Sequence, residues 1–122
     1  MPRPSHFEIP VDDPDRAEAF YSKVFGWTFQ RFEGAPDYYG MANTGEENPG
    51  INGALYKRGE HSETVLTMSV DSIEDAIATA EANGAKVVLG KTPIPGMGYF
   101  ANLKDTEGNT IGIFTNDESA TP

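Results

Sequence analysis

Residues 7–20, FEIPVDDPDRAEAF, have a counterpart 59 positions later in residues 66–79, LTMSVDSIEDAIAT. In this alignment Val11 matches Val70. Each copy begins with an alternation of apolar and polar residues and then changes to helical spacing, which is typical of a strand followed by an amphipathic helix. Similarity at a fixed offset indicates that one supersecondary unit is built twice in the chain.

Both predicted helices carry start and stop signals. Asp13 is a suitable N-cap for the first helix, Pro14 follows at the first helical position, and Gly26 ends the apolar stripe. Ser72 opens the second helix and Asn83-Gly84 closes it. The two copies are therefore expected to share one construction.

Three β-prone stretches follow each helix, separated by turn residues. They are residues 27–32, 38–42 and 51–56 in the first copy and 85–89, 98–103 and 110–115 in the second. The order βαβββ, written twice, predicts an α+β fold of two tandem modules with a pseudo-twofold relation, whose curled sheets enclose a cleft. Module 1 is expected at about residues 5–57 and module 2 at about 64–115, with 116–122 as a flexible tail.

The amino-acid composition excludes several classes of function. The 122 residues include 19 acidic and 9 basic side chains, and the formal net charge of -10 repels nucleic-acid phosphates and anionic lipid headgroups. The absence of cysteine excludes thiol catalysis and Cys-ligated zinc. No apolar run approaches the roughly 18 residues of a membrane-spanning helix. We therefore expect a single-domain cytoplasmic protein that binds neither nucleic acid nor membrane.

Several segments together point to a known family. His6 stands ahead of a short strand, and the chain then continues with DDPDRAEAFYSKVFGW, VDSIEDAIATAEANGAKV and the closing DTEGNTIGIF. This set resembles the vicinal oxygen chelate superfamily, which includes glyoxalase I, bleomycin-resistance proteins and extradiol dioxygenases, and the resemblance covers residues 5–114. It implies the paired βαβββ fold and either a homodimer or a pairing of the two modules within one chain. Such a fold says little about the reaction.

The resemblance also implies four positions for metal ligands, one on the first and one on the last strand of each module. His6 occupies the first position, and its counterpart 59 residues later is Val65. The two last-strand positions are Gly53 and Gly112, which are themselves 59 residues apart. Valine and glycine offer no side-chain donor, whereas a catalytic ion needs several convergent ligands. We therefore expect no resident metal, with a divalent ion held weakly by His6 and Glu8 as the alternative.

A cleft lined mainly by apolar side chains follows if alternate strand residues face it. The expected lining consists of Gly53, Leu55, Val65, Thr67, Gly112 and Phe114. The expected core beneath the helices contains Phe7, Ile9, Ala54, Leu66, Met68, Ile111 and Ile113. The candidate rim residues are Tyr38, Tyr39, Met97 and Tyr99, and Gly96 and Gly98 would make Met97 part of a mobile lip. Such a cleft suits a small aromatic or carbonyl-bearing organic molecule.

Two functions of different classes remain open. The first is a binding protein that holds a small organic molecule, as bleomycin-resistance proteins do. The second is a lyase or isomerase related to lactoylglutathione lyase, in which His6 and Glu8 act as an acid/base pair on a carbonyl substrate. A His–Glu contact on a strand is also common as a purely structural hydrogen bond. His61, in the polar connector, is expected to be a solvated loop residue.

Overall fold

The computed structural model describes residues 2–59 and 62–122, and within these ranges it contains eight strands and two helices. The elements are β1 (Arg3–Val11), α1 (Pro14–Phe25), β2 (Thr28–Arg31), β3 (Tyr39–Asn43), β4 (Asn52–Lys57), β5 (Val65–Ser69), α2 (Ile73–Ala82), β6 (Lys86–Ile94), β7 (Gly98–Lys104) and β8 (Thr110–Asn116). The α+β class and the twofold βαβββ order are confirmed. The prediction for His61 lies outside the described residues.

The helices begin and end where local chemistry predicts. Asp13 Oδ1 accepts a hydrogen bond from the Arg16 amide at 3.1 Å, and Ser72 Oγ accepts one from the Asp75 amide at 3.1 Å. Each bond satisfies an amide that lacks a partner within its helix. Gly26 closes α1 with a φ of 76°, a conformation that favours glycine. Neither helix has the length and apolar character needed to cross a membrane.

The chain divides into two compact units, residues 5–64 and residues 65–122, the second of which also includes the first residues up to Pro4. In the first unit the strand order is β2-β3-β4-β1, with β1 and β4 parallel and the other pairs antiparallel. In the second unit the order is β5-β8-β7-β6, with β5 and β8 parallel. The two copies seen in the sequence therefore have the same strand order and the same connections between strands.

Aromatic packing fixes α1 to the first sheet. Trp27, which follows α1, stacks on Tyr21 with ring centroids 4.9 Å apart and meets Phe7 of β1 at 5.4 Å. Leu55 on β4 is fully buried. Burial of large aromatic and aliphatic side chains is the main favourable contribution to the free energy of such packing. This face of the sheet therefore stabilises the fold of the first unit.

The core of the second unit lies between α2 and its sheet. Its buried members are Ile73, Ala101, Leu103 and Ile113, and Ile111 packs against them. The prediction that Ile111 and Ile113 face the helix is confirmed. Gly112 and Phe114 alternate with them on β8 and therefore point to the opposite face.

Two segments of the second unit differ from the sequence predictions. β6 continues through Gly90 and Pro93 to Ile94, because it lies at the edge of its sheet, where proline and register shifts are tolerated. The tail was expected to be flexible, but Ala120 is buried and its carbonyl accepts a hydrogen bond from the Gly96 amide at 3.0 Å. The tail thus has packing contacts that its polar sequence did not indicate.

Candidate functional site

Three polar side chains meet on one face of the first sheet. His6 Nε2 lies 2.8 Å from the hydroxyl oxygen of Tyr39, and this hydroxyl donates to Glu8 Oε2 at 2.6 Å. His6 Nε2 and Glu8 Oε2 are 4.0 Å apart. We call these three residues the His6 cluster. About a third of the His6 side chain and slightly less of the Glu8 side chain is exposed, 32% and 28%, so the cluster is accessible to a ligand.

The strand between β1 and β3 allows this meeting. Ala54 on β4 pairs with Glu8 on one side and with Met41 on the other. Tyr39 pairs with Tyr56, two residues along β4 from Ala54. Since β4 lies between β3 and β1, the Tyr39 hydroxyl reaches His6 and Glu8 across this strand.

The register corrects the expected lining of the cleft. His6 pairs with Asn52, and residues paired in neighbouring strands point to the same side of a sheet. The His6 face therefore carries His6, Glu8, Tyr39, Met41, Asn52, Ala54 and Tyr56. Gly53 and Leu55 point to the opposite side, which we call the α1 face, so the prediction that they line a cleft beside His6 is wrong, as is the prediction that Ala54 faces the helix. An offset of one residue reverses every side chain of a strand.

Gly53 has a packing role on the α1 face. A Cβ built at this position would lie 2.5 Å from atoms of the Phe7 ring and 2.5 Å from the Phe7 carbonyl oxygen. A longer side chain at position 53 would therefore run into the packed aromatic layer, away from His6. The glycine reflects close approach of Phe7 rather than an enlarged cleft.

The residues present do not fit the metal site that the resemblance implies. Within residues 2–59 and 62–122, no three His, Cys, Asp or Glu side chains form a group that could hold a metal ion. The two donors that do come together, His6 Nε2 and Glu8 Oε2, are both hydrogen-bonded to the Tyr39 hydroxyl. Asn52, the residue opposite His6, uses its Oδ1 to accept from the Thr44 amide at 2.9 Å. This donor set falls short of the several convergent ligands that a catalytic ion needs.

In the second unit, the structure brings four of the predicted lining residues onto one face. Thr67 pairs with Gly112, and a Cβ at Gly112 would lie 2.5 Å from Thr67 Oγ1, so this glycine makes room for the threonine. Val65 and Thr67 are nearly buried, at 6% and 8% exposure. Phe114, paired with Ser69, lies on the same side. Their role in ligand binding stays a prediction.

Tyr99 lies on the other face of the second unit. Its side chain packs against the core beneath α2, and Lys91 Nζ sits 4.3 Å above its ring. Its expected place at the rim of the cleft is therefore wrong, because its strand parity is that of Ala101.

The lip around Met97 is tied to the tail. The Asp117 amide donates to the Met97 carbonyl at 2.9 Å, and the Met97 amide donates to Ile94 at 2.9 Å. Met97 itself is exposed. These bonds do not favour the free motion that its flanking glycines indicated.

The two hydrogen bonds of the Tyr39 hydroxyl indicate where the protons of the His6 cluster lie. The Tyr39 hydroxyl has one hydrogen, which it donates to Glu8, so it accepts from His6 and the hydrogen of that bond belongs to Nε2. In a neutral imidazole the other nitrogen, Nδ1, then carries the lone pair. Burial lowers the pKa of His6, an effect that the charge of Glu8 opposes. Burial thus favours the neutral form of His6, and with the hydrogen on Nε2 the basic atom of that form is Nδ1.

Tyr39 remains protonated in this arrangement. Burial raises its pKa well above the ordinary value, and the charge of Glu8 and the hydrogen bond to it act in the same direction. Sequence reasoning placed Tyr39 only among rim residues, together with Tyr38. Consecutive strand residues point to opposite faces, so parity could have shown that only one of the two tyrosines joins His6.

Two cavities of the first unit lie away from the His6 cluster. One of about 650 Å³ is bordered by the β3–β4 loop at Glu46 and Glu47, and another of about 360 Å³ by Arg16, Phe20 and Arg58. Neither is lined by a member of the His6 cluster.

Comparison with known proteins decides the family. Residues 3–113 match the Glyoxalase/Bleomycin resistance protein/Dioxygenase superfamily. The chain belongs to this superfamily. A glyoxylase-like domain-containing protein of Didymella fabae is 30% identical over 128 residues, covering 91% of each protein. A Mycobacterium tuberculosis protein provisionally named a glyoxylase is 31% identical over 107 residues, which is 87% of this chain but 41% of that longer superfamily relative.

Solved structures share the superfamily fold at lower identity. A hypothetical protein of Bacillus halodurans superposes with a TM-score of 0.74 at 20% identity and covers 100% of this chain and 99% of its own. Methylmalonyl-CoA epimerase of Mycobacterium tuberculosis superposes with a TM-score of 0.70 at 14% identity, over 93% and 87% of the two chains. At these identities the likeness concerns the fold alone.

Proposed function

We propose that this chain binds a small carbonyl-bearing organic molecule at the His6 cluster and moves a proton on it, as a lyase or isomerase of the glyoxalase-like superfamily. The observation that carries the proposal is the hydrogen-bonded sequence from His6 Nε2 through the Tyr39 hydroxyl to Glu8 Oε2. A base oriented by a second group, which is held in turn by a carboxylate, is a recurrent design for proton transfer.

His6 is the base in this proposal. A neutral imidazole whose Nε2–H is held by Tyr39 presents its Nδ1 lone pair, and Nδ1 takes a proton from the carbon next to the substrate carbonyl. The imidazolium formed in this step carries a positive charge beside Glu8, whose carboxylate oxygen is 4.0 Å from Nε2. Attraction between these charges favours the protonated intermediate state of the enzyme. Return of the proton to a different atom of the substrate completes an isomerisation, whereas return to the same carbon gives only exchange with solvent.

Glu8 and Tyr39 are positioning residues in this proposal. The Glu8 carboxylate accepts the only hydroxyl proton of Tyr39, which forces the tyrosine oxygen to accept from His6 and fixes the imidazole tautomer. The fold supports such a function, because methylmalonyl-CoA epimerase, named for an isomerisation, is built on it.

The test is deuterium exchange at carbon. The probes are hydroxyacetone, the hemithioacetal of methylglyoxal with 2-mercaptoethanol, and the acetonyl thioether of 2-mercaptoethanol, each followed by proton NMR in D₂O. The protein is expected to accelerate exchange next to the carbonyl of at least one probe, and His6→Asn to lose about 10²- to 10⁴-fold of that rate. Tyr39→Phe is expected to lose part of the accelerated exchange rate.

Tyr38→Phe is the matched control, because Tyr38 is adjacent in sequence but bonds Glu18 instead. It should exchange at the wild-type rate. Exchange that survives in His6→Asn would overturn the assignment of the base. Binding of the probes without any exchange would overturn the enzymatic proposal and leave a binding protein.

A further inference from the structure

We infer that the His6 face selects against anionic molecules, so that the substrate class is an uncharged or cationic carbonyl compound. This inference rests on the proposed function and deepens it. It comes from the distribution of charge in the described part of the first unit, where the carboxylate of Glu8 has no cation beside it other than His6, whose neutral form burial favours.

The cationic side chains of residues 5–59 are engaged or placed elsewhere. They are Arg16, Lys23, Arg31, Lys57 and Arg58. The first two lie on α1, which packs on the α1 face through Tyr21 and Trp27. None of the five belongs to the strand positions that form the His6 face.

Three of these cations have partners of their own. Arg31 bonds Asp15 at 2.6 Å, Lys57 Nζ donates to the Asp12 carbonyl at 2.6 Å, and Arg58 Nε donates to Asp12 Oδ1 at 3.0 Å. The Arg58 pairing is the relevant one, since Arg58 follows directly after β4. Its charge is balanced by Asp12 and does not balance Glu8.

The effect of Glu8 extends across the His6 face. Its charge helps to raise the pKa values of both Tyr39 and Tyr56, after the larger effect of burial, although Arg58 acts in the opposite direction on Tyr56. The two tyrosines pair across β3 and β4. A ligand lying over this pair experiences a negative potential, which disfavours carboxylates and phosphates at short range.

The neutral state of His6 has a second consequence. A histidine that must start without a proton to act as a base offers no positive charge to an anionic substrate on arrival. Discrimination against anions is thus linked to the same protonation state that the proton transfer needs.

The experiment uses three acetonyl thioethers that differ at one end. They are made from 2-mercaptoethanol, 3-mercaptopropionate and thiocholine, and carry a hydroxyl, a carboxylate and a quaternary ammonium group. Binding to the full chain is measured by calorimetry and by NMR shifts of the His6 ring. We expect the carboxylate probe to bind about tenfold or more weakly than the hydroxyl probe, and the ammonium probe to bind at least as tightly as the hydroxyl probe.

Glu8→Gln is the decisive variant, because glutamine can still accept the Tyr39 hydrogen bond but carries no charge. We expect the difference between the carboxylate and hydroxyl probes to fall to about threefold or less in this variant. Glu18→Gln, which changes the glutamate of the α1 face, should leave the difference unchanged. If Glu8→Gln does not fold, the same comparison in the wild-type protein at about 1 M salt should show the difference reduced.

The outcomes separate the two proposals. Equal binding of the carboxylate and hydroxyl probes by the wild-type protein would overturn the charge selection and leave the proton transfer standing. Discrimination unchanged in Glu8→Gln would also overturn it. Selective binding together with no exchange of any probe would overturn the proposed function while supporting the charge selection.

Discussion

Two adjacent tyrosines each donate a hydrogen bond to a glutamate, on opposite faces of the first sheet. The Tyr38 hydroxyl bonds Glu18 at 2.6 Å on the α1 face, and the Tyr39 hydroxyl bonds Glu8 at 2.6 Å on the His6 face. In both tyrosines burial is the first cause of a raised pKa, and the bonded glutamate adds to it. The two pairs are nearly identical in geometry.

The two tyrosine–glutamate pairs differ in the third side chain that accompanies them, which is Arg31 for Tyr38 and Glu18 and His6 for Tyr39 and Glu8. Glu18 also accepts from Arg31 at 3.2 Å, and a guanidinium stays charged at every pH of interest, so that network is balanced. Beside Glu8 stands His6, whose burial favours the neutral form. The same tyrosine–glutamate pair is therefore balanced by a permanent positive charge where an arginine completes it, and lacks such a charge where a histidine does.

The largest expected effect concerns two glycines of the α1 face. Gly53→Ala places a methyl group against the Phe7 ring and backbone, and we expect it to lower the free energy of unfolding by about 3 kcal/mol. Gly40→Ala meets only the ends of the Tyr38 and Glu18 side chains, which can move, so a loss of less than about 1 kcal/mol is expected. Urea denaturation of both variants measures the two losses. Equal losses would show that the contact with Phe7 is no more rigid than the contact with the ends of the Tyr38 and Glu18 side chains.

Removal of each tyrosine hydroxyl gives the next largest effect. Tyr39→Phe leaves Glu8 and His6 without their common partner, and we expect a loss of about 1–2 kcal/mol. Tyr38→Phe leaves Glu18 bonded to Arg31, and about 0.5 kcal/mol or less is expected. Thermal and urea unfolding of the two variants provide the comparison. A larger loss in Tyr38→Phe would contradict the difference between the two groups.

The pH dependence of the free energy of unfolding reports on the protonation of His6. Because the folded pKa of His6 is lowered, the unfolded chain binds more protons in the window between that lowered pKa and about 6.5. The free energy of unfolding should therefore rise with pH across this window and lose this contribution as pH falls through it. In His6→Asn the slope should become smaller, while Tyr38→Phe keeps it. His61 is present in all three proteins, so an unchanged slope in His6→Asn would refute the assignment.

The smallest expected effect is the salt dependence of the stability lost in Glu18→Gln and in Glu8→Gln. Glu18→Gln weakens an ion pair with Arg31, whose side chain is exposed, so its slight loss of stability should disappear at about 1 M salt. Glu8→Gln changes a hydrogen bond to a half-buried tyrosine, and its effect should persist. Urea midpoints at low and high salt decide this. If both effects vanish with salt, Glu8 is as well screened as Glu18.

Local signals in the sequence were sufficient for the fold. Asp13 and Ser72 cap the helices as predicted, and the offset of 59 residues corresponds to repeated strand connectivity. These features depend on residues close together in the chain, where spacing and capping chemistry act directly. The same spacing could not show that β6 continues past Pro93, because tolerance of proline depends on the absence of a further strand beside it in that sheet.

The candidate site was predicted only in part. His6 and Glu8 share a face because they are two residues apart on one strand, and the structure confirms their proximity. The expected neighbours Gly53 and Leu55 were wrong, because the pairing register of β4 with β1 is a tertiary property. That Tyr39 joins the cluster depends likewise on the pairing of β3 with β4, which is a tertiary property too.

The sequence by itself determined the twofold βαβββ order, the caps of the helices, the negative net charge and the place of His6 on the first strand, since each depends on residue type and short-range spacing. Only the tertiary structure decided which side chains meet His6. A strand register that differs by one residue exchanges the two faces of a sheet, and no local signal in the chain distinguishes the two alternatives.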